Sequence, residues 1–272
     1  MQESQMALVR GAGDLGSSVA VCLHTVGFQV IMTETEQPLA VRRAVSFSDA
    51  VYDGKAVVEG TRATLAISPS RIAEILNNDA IAVIVDPTGD IAAELKPLVL
   101  VDAILAKHNL GTRRGDAPIV IALGPGFIAG EDADAVIETQ RGHNLSRIIW
   151  QGAATPDTGI PGPVLGHAGD RVLRAPAAGE MRWQARIGDI VWQNDVLGHV
   201  DDRPILTPFD GALRGAIRDR LRVASGMKIG DVDPRGDRSA CFTISDKARA
   251  IAGSTLQAVL ILMRSLEQRG RR

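Results

Sequence analysis

Only two cysteines occur in the 272 residues, Cys22 and Cys241, too few for a disulfide framework or a cysteine-rich zinc site. Cys22 falls inside a helical pattern and Cys241 in an apolar stretch, so both are expected to be buried thiols. An excess of charge is lacking too, since 30 basic residues against 32 acidic ones leave a net charge of −2. Nucleic-acid binding needs clustered Lys and Arg to neutralise phosphates, and the one basic run, Arg-Gly-Arg-Arg at 269–272, reads as a solvated tail. No apolar run is long enough for a membrane span, and the first residues show no cationic stretch leading into an apolar core. His24, His108, His167 and His199 are scattered without metal-ligand spacing, so no metal site is expected. A soluble, cytoplasmic protein is the expectation, with neither nucleic acid nor membrane as partner.

What is present is a hydrophobic content of 45%, ample for one large or two modest cores. The most informative segment is Ala7-Leu8-Val9-Arg10-Gly11-Ala12-Gly13-Asp14-Leu15-Gly16. Here an apolar strand pattern breaks into glycines at dinucleotide-fold spacing. Leu15, Val19, Leu23 and Val26 then recur at helical spacing, and a second strand over 29–33 closes with Glu34. Each residue type has a job in such a turn. Gly11 permits the tight bend, Gly13 lets backbone approach a pyrophosphate, and Gly16 lets the helix pack on the strand. The helix start offers N–H groups and a positive dipole end to an anion, Ser17 and Ser18 are candidate phosphate contacts there, and Glu34 can accept hydrogen bonds from ribose hydroxyls. The same pattern also suits a doubly wound domain without a nucleotide.

Further along, strands are expected over 55–59 and 62–66, and a helix from Ser68 or Ser70 to Asn77-Asn78. Buried strands follow over 81–85, 98–101 and 119–123, and a short helix reaches Lys107. The buried strands end at Asp86-Pro87-Thr88-Gly89, Asp102 and Gly124-Pro125-Gly126-Phe127. Buried strands ending in such loops describe a parallel sheet, whose ligands bind at its carboxyl edge. From about residue 145 the pattern changes to short strands between Gly, Pro and Asp turns. One long helix is expected over 247–267, its stripe formed by Ile251, Thr255, Val259, Met263 and Leu266 and widened by Leu256, Leu260 and Ile261. The domains expected are 1–145, a Rossmann-like nucleotide- or pterin-binding domain, 146–240, a β-rich module, and 241–272, a helix returning onto the core.

Three polar clusters are candidates for chemistry. Glu138-Thr139-Gln140-Arg141-Gly142-His143 sets an acid, a guanidinium and an imidazole within six residues. Glu138 and His143 suit general acid–base work, and Arg141 suits phosphate binding. With Gly124 and Gly126 near, this loop is expected to face residues 11–16, with Arg141 opposite the helix start as the second half of an anion clamp. Arg42 and Arg43, just beyond the second strand, suit a 2′-phosphate or pterin phosphate. Asp231, Asp233 and Asp237 carry oxygen ligands at alternating spacing, but the calcium-loop pattern is incomplete and a structural turn is the better reading.

Several of these segments recur together, in this order, in one family. They are the opening glycine turn, Val41-Arg42-Arg43-Ala44-Val45-Ser46-Phe47, Gly124-Pro125-Gly126-Phe127, residues 136–143, Thr158-Gly159-Ile160-Pro161-Gly162, Lys228 to Arg235, and Ile244-Ser245-Asp246-Lys247-Ala248. With them the chain resembles the YqeB-like accessory proteins of selenium-dependent molybdenum hydroxylases, which are related to the XdhC-type xanthine dehydrogenase accessory factors. That resemblance implies a maturation factor with a molybdenum hydroxylase client and a Rossmann-like site for a molybdopterin-type cofactor or a nucleotide. A histidine expected in the XdhC-type factors after the second glycine is Asp14 here, which leaves any His-dependent role at that position unsupported. Residues 172–227 are similar to the biotinyl/lipoyl module, a barrel-sandwich hybrid. Its attachment lysine is missing from the hairpin Val200-Asp201-Asp202-Arg203-Pro204, implying a scaffold without a swinging arm. The rival functions are an NAD(P)-dependent oxidoreductase using the same loop and a structural assembly factor with a vestigial nucleotide site.

Overall fold

The computed structural model describes residues 5–159 and 162–270. Ile160 and Pro161 of the 158–162 segment, and Arg271 and Arg272 of the basic tail, lie outside the described residues. The chain forms two compact units. Unit 1 comprises residues 1–38, 46–157 and 244–272, and unit 2 comprises residues 39–45 and 158–243.

Unit 1 opens with β1 (Met6–Arg10), α1 (Asp14–Thr25) and β2 (Gln29–Glu34), then α2 (Ala50–Asp53), β3 (Lys55–Val58) and β4 (Thr61–Ala66). It continues through α3 (Ile72–Asn77), β5 (Ile81–Val85), α4 (Ile91–Leu95), β6 (Val99–Asp102), β7 (Ile119–Leu123) and β8 (Ile128–Ala129). β9 (Ala135–Ile137), β10 (Ile148–Ile149) and β11 (Gly152–Ala153) complete its strands. Nine of these form one sheet in the order β10-β9-β7-β6-β1-β2-β5-β4-β3. From β9 to β4 the neighbours are parallel, and the two edge strands run antiparallel. The Val- and Ile-rich strands β5, β6 and β7 are buried almost throughout. Continuous burial of this kind requires both faces of the sheet to be covered. Leu15, Val19 and Leu23 of α1 are buried as the helical period requires, whereas Val26 lies just past the helix and is exposed. Cys22 is half-buried on that helix, a departure from the buried thiol expected, while Cys241 is buried.

The helix expected to reach Lys107 does not form. Leu105 and Lys107 have φ of 59° and 68°, a left-handed conformation that a right-handed helix excludes. Residues 103–112 are instead an irregular loop over the carboxyl end of β6.

In unit 2, β12 (Val172–Arg174), β13 (Gly179–Trp183), β14 (Ile190–Val191), β15 (Val196–Val200), β16 (Arg203–Leu206), β17 (Gly211–Ala216), β18 (Arg222–Val223) and β19 (Lys228–Asp233) form two four-stranded antiparallel sheets. Their orders are β12-β19-β17-β14 and β16-β15-β13-β18. Leu173, Met181, Leu197, Val200, Leu213, Ile229 and Val232 make the core between them. β15 and β16 are joined by the two-residue turn Asp201-Asp202, with Val200 paired to Arg203.

The chain then returns to unit 1 as α5 (Asp246–Gly270). The hydroxyl of Ser245 caps this helix by accepting the Ala248 N–H at 3.2 Å. Ile251, Thr255 and Val259 are buried, but Leu260 and Ile261 are exposed. Ala248, Ala252 and Ala258 make up the buried stripe instead, so small side chains carry part of the contact assigned to larger ones. Among the described residues, no helix is long and apolar enough to cross a membrane.

Candidate functional site

The turn after β1 is held from three sides. Gly11, at φ 90°, donates its N–H to Thr33 O at 2.9 Å, and a Cβ there would meet the Ala103 carbonyl at 2.9 Å. The Ala12 N–H donates to Glu34 Oε2 at 3.0 Å, while Glu34 Oε1 accepts the Thr35 N–H at 2.8 Å. Ser17 Oγ donates to Ala12 O at 3.0 Å and accepts the Phe47 N–H at 2.8 Å. Glu34, read from the sequence as a ribose ligand, therefore uses its carboxylate to fix the glycine turn. Ser17 and Ser18 are buried, so neither is an open phosphate contact.

Gly13 and Gly16 serve different ends. A Cβ on Gly16 would lie 2.1 Å from the Gly11 carbonyl oxygen, so helix and turn meet only through glycine. Gly13 is the N-cap residue of α1, and a Cβ there would meet nothing within 4 Å. Among the described residues, no side chain caps this helix start. The space beside it thus borders the N–H groups of the first helical turn, which carry partial positive charge.

Beneath the turn lies a buried ionic network at the carboxyl ends of adjacent strands. Arg10, Asp102 and Thr112 are all at least 97% buried. Thr112 Oγ1 donates to Asp102 Oδ2 at 2.6 Å and accepts from Arg10 Nη1, which lies 3.5 Å from the same carboxylate oxygen. Arg10 Nη2 donates to Thr88 O at 2.9 Å, and Asp102 Oδ1 accepts the Ile104 N–H at 3.1 Å. Asp86 accepts the N–H groups of Gly89, Asp90 and Ile91 at 2.9, 3.2 and 2.9 Å. The strand-end acids Asp86 and Asp102 thus hold loops in place.

Past β7, Gly124 (φ 76°) and Gly126 (φ 106°) leave room only for hydrogen. Added Cβ atoms would sit 2.7 Å from Thr139 Oγ1 and from His108 backbone, respectively. Glu138, directly after β9, is buried and accepts the Gln140 N–H on Oε1 and the Thr155 N–H on Oε2, each at 2.8 Å. Burial pushes its pKa up, but those backbone N–H groups pull harder and hold it below the ordinary glutamate value. An ionised, clamped carboxylate is a poor proton donor near neutrality, so Glu138 acts here as a tether. Arg141 spends its guanidinium on Asp246, at 2.8 and 2.9 Å. His143 is exposed on the following turn. Arg42 and Arg43 belong to unit 2, where they donate to the carbonyls of Ala240, Thr243 and Ala216.

Lys247, in the first turn of α5, is the cation that sequence reasoning missed. It is half-buried and, among the described residues, makes no hydrogen bond or ion pair. Burial pushes its pKa down and the Arg141 charge adds to that, against the carboxylates of Asp14, Glu138 and Asp157. Asp14 opens α1, Glu138 follows β9 and Lys247 lies in the first turn of α5, so charges on three elements act on this ammonium group. A signal was available. A lysine in the first turn of a helix opposes the macrodipole, and such a placement asks for an anion nearby.

In unit 2, Asp231 pairs with Arg171 at 3.1 Å, and Asp233 with Arg235 at 2.6 Å and Arg214 at 3.3 Å. Asp237 accepts from the Ser239 N–H and hydroxyl at 2.9 and 2.7 Å. These bonds make the segment the structural turn expected. Among the described residues, no group of three or more His, Cys, Asp or Glu is arranged to hold a metal ion.

These features define a mixed α/β protein whose large parallel sheet gathers polar groups at its carboxyl edge. Over 259 residues, 95% of its length, the chain is 49% identical to the uncharacterized protein YqeB of Escherichia coli (strain K12). That similarity runs over nearly the whole of this chain, which spans about half the length of that relative, 48%. No family model matches the chain. Among solved structures it is similar to an aspartoacylase family protein from Mesorhizobium loti, with 14% identity, 85% of each chain covered and a TM-score of 0.28. It is also similar to a succinylglutamate desuccinylase/aspartoacylase from Rhodobacter sphaeroides, with 12% identity, 84% of this chain and 85% of the other covered, and a TM-score of 0.27.

Proposed function

We propose that unit 1 is a Rossmann-like module that binds a phosphate-bearing small molecule, a nucleotide or a molybdopterin-type cofactor, at the start of α1. The observation that carries this reading is the uncapped helix start at Gly13, open where a Cβ would stand, and Lys247, in the first turn of α5, is the cation proposed to join it, its charge coupled to that of Asp14. Backbone N–H groups accept an anion at close range, and a lysine adds a full charge. Gly11, Gly13, Asp14 and Gly16 form the turn, Glu34 fixes it, Gly124, Gly126 and Arg141 shape the neighbouring loop, and Lys247 supplies the cation. His143, exposed on that loop, is the side chain proposed to take part in chemistry there.

On this reading the chain is a maturation factor for a molybdenum hydroxylase, of the selenium-dependent kind. The support is the set of shared motifs, which includes Asp246-Lys247, together with the YqeB likeness. Unit 2, with two four-stranded antiparallel sheets and a lysine-free hairpin at 200–204, serves as a lipoyl-like scaffold or docking surface.

Thermal unfolding with NAD, NADP, CTP and molybdopterin tests the binding step, because a ligand at 100 times its Kd adds about 2.7 kcal/mol. A ligand-induced rise seen in the wild type and lost in Gly13→Val is expected. Equal rises in both proteins would remove the site from the glycine turn. For the cellular role, cofactor occupancy of the hydroxylase in cells carrying His143→Ala or Lys247→Met is the readout. Full occupancy in both strains would end the maturation reading.

A further inference from the structure

A second recess opens on the carboxyl edge of the unit 1 sheet, at the ends of β4 and β5. It is a cleft of about 560 Å³ lined by residues 65–69, 84–86, 90, 91 and 94. Its walls are apolar, from Ile67, Ile84, Val85 and Ile91, and Ile67 stands 83% exposed. The charged groups that line it are all carboxylates, Asp86, Asp90 and Glu94, and no Lys, Arg or His is among its lining residues. Asp86 is saturated by three backbone N–H groups, and Asp90 accepts the Thr88 hydroxyl at 2.8 Å. Glu94 is exposed and has no hydrogen bond or ion pair among the described residues.

Volume and lining suit a flat apolar ring bearing hydrogen-bond donors. Clefts of roughly 300–1,000 Å³ are the usual size for small ligands. A rim of ionised carboxylates only accepts hydrogen bonds, so it attracts N–H groups and repels both phosphate and ring carbonyl oxygens. Position adds a second constraint. The strands run β1-β2-β5-β4 across the sheet, and at about 4.8 Å per strand β5 lies roughly 10 Å from β1 and β4 roughly 14 Å. The glycine turn follows β1, and Glu34, fixing that turn, ends β2 between the two recesses.

We propose that this cleft receives an amino-bearing nucleobase of the ligand whose phosphates sit at the start of α1, with Glu94 accepting from its exocyclic amine. The inference rests on the phosphate site proposed above and narrows its ligand to a nucleotide whose base carries an exocyclic amine. Ring faces pack on Ile67 and Ile91, and Glu94 selects amine over carbonyl at the exposed lip.

Nucleotide pairs that differ by amine against carbonyl test it. By titration calorimetry, ADP should bind tighter than IDP, and CDP tighter than UDP, by roughly tenfold or more, the scale of one hydrogen bond to a charged acceptor. Glu94→Gln, an exposed change that keeps the side-chain shape, should abolish the preference in both pairs, because an amide both donates and accepts. Equal affinities within each pair, or a preference that survives Glu94→Gln, would overturn the proposal. Inorganic tripolyphosphate, which carries no base, separates the two readings. Binding of tripolyphosphate that Gly13→Val abolishes, alongside indifference to the base, sinks the cleft assignment and leaves the phosphate site standing. No binding of tripolyphosphate or any nucleotide sinks both.

Discussion

Arg141 grips Asp246 through two parallel hydrogen bonds, Nη2 to Oδ1 at 2.8 Å and Nη1 to Oδ2 at 2.9 Å. The pair fastens the loop after β9 to the first turn of α5, so the guanidinium picked out by sequence as an anion ligand already has its carboxylate. The neighbouring Lys247 does not.

Lys247→Met should therefore weaken anion binding far more than Arg141→Met, measured by tripolyphosphate titration. Equal losses would return the clamp to Arg141. Stability should move the other way. The pKa of Lys247 is held below that of a free lysine, chiefly by burial, so the unfolded chain binds the proton more readily and stability rises with pH through that interval. At neutral pH the buried charge is a cost, and Lys247→Met is expected to raise the melting temperature while it abolishes binding. A lysine kept only for structure would lower it.

Two glycines three residues apart should separate fold from function. Gly16→Ala places a methyl 2.1 Å from the Gly11 carbonyl and should cost about 1–3 kcal/mol in chemical denaturation, the usual price of overpacking. Gly13→Val faces open space and should unfold at nearly the wild-type denaturant concentration.

Unit 2 should be acid-sensitive through Asp233. Burial pushes this carboxyl up, but the Arg235 hydrogen bonds and the Arg214 charge outweigh it and hold the pKa at about 2, against 3.8 when free. Its folded value is depressed, so the stabilisation is complete above the free value and disappears as the pH falls towards 2. That linkage is worth about 2 kcal/mol. Asp233→Asn leaves Arg214 buried without its counter-charge and should cost about 3–5 kcal/mol at neutral pH. Acid titration of unit 2 tryptophan fluorescence, from Trp183 and Trp192, reads both effects, and an unchanged acid midpoint in the variant would refute the assignment.

Glu138→Ala removes the acceptor for two backbone N–H groups, those of Gln140 and Thr155. A loss of about 1–3 kcal/mol for each unpaired donor is expected. Hydrogen exchange at those two amides should accelerate ahead of the rest of the sheet. Uniform protection would show that the tether is dispensable.

The glycine turn, the parallel strands and α5 were legible because each follows from a local period or from a residue type that only one conformation accepts. The rest is not legible, because contacts that no local period encodes decide it. Glu34 and Glu138 read as free acids in the sequence, whereas the fold sets the Ala12, Gln140 and Thr155 N–H groups against them. Residues 103–107 carry helix-compatible side chains, yet the loop is fixed by the Asp102–Arg10–Thr112 network and turns left-handed at Leu105 and Lys107. Lys247 lies 234 positions from Gly13, and no pattern short of the fold itself relates them.

Unit 1 is interrupted twice by unit 2 and is completed only by residues 244–272. A ribosome that has made the glycine turn and the whole parallel sheet has still to make residues 158–243 of unit 2 before α5, and Lys247 with it, can dock. Chains stalled or cut after residue 157 would hold the turn without its cation. On the proposed function, the nascent protein is unable to capture an anion early, and the site becomes competent only after residues 158–243 have been synthesised.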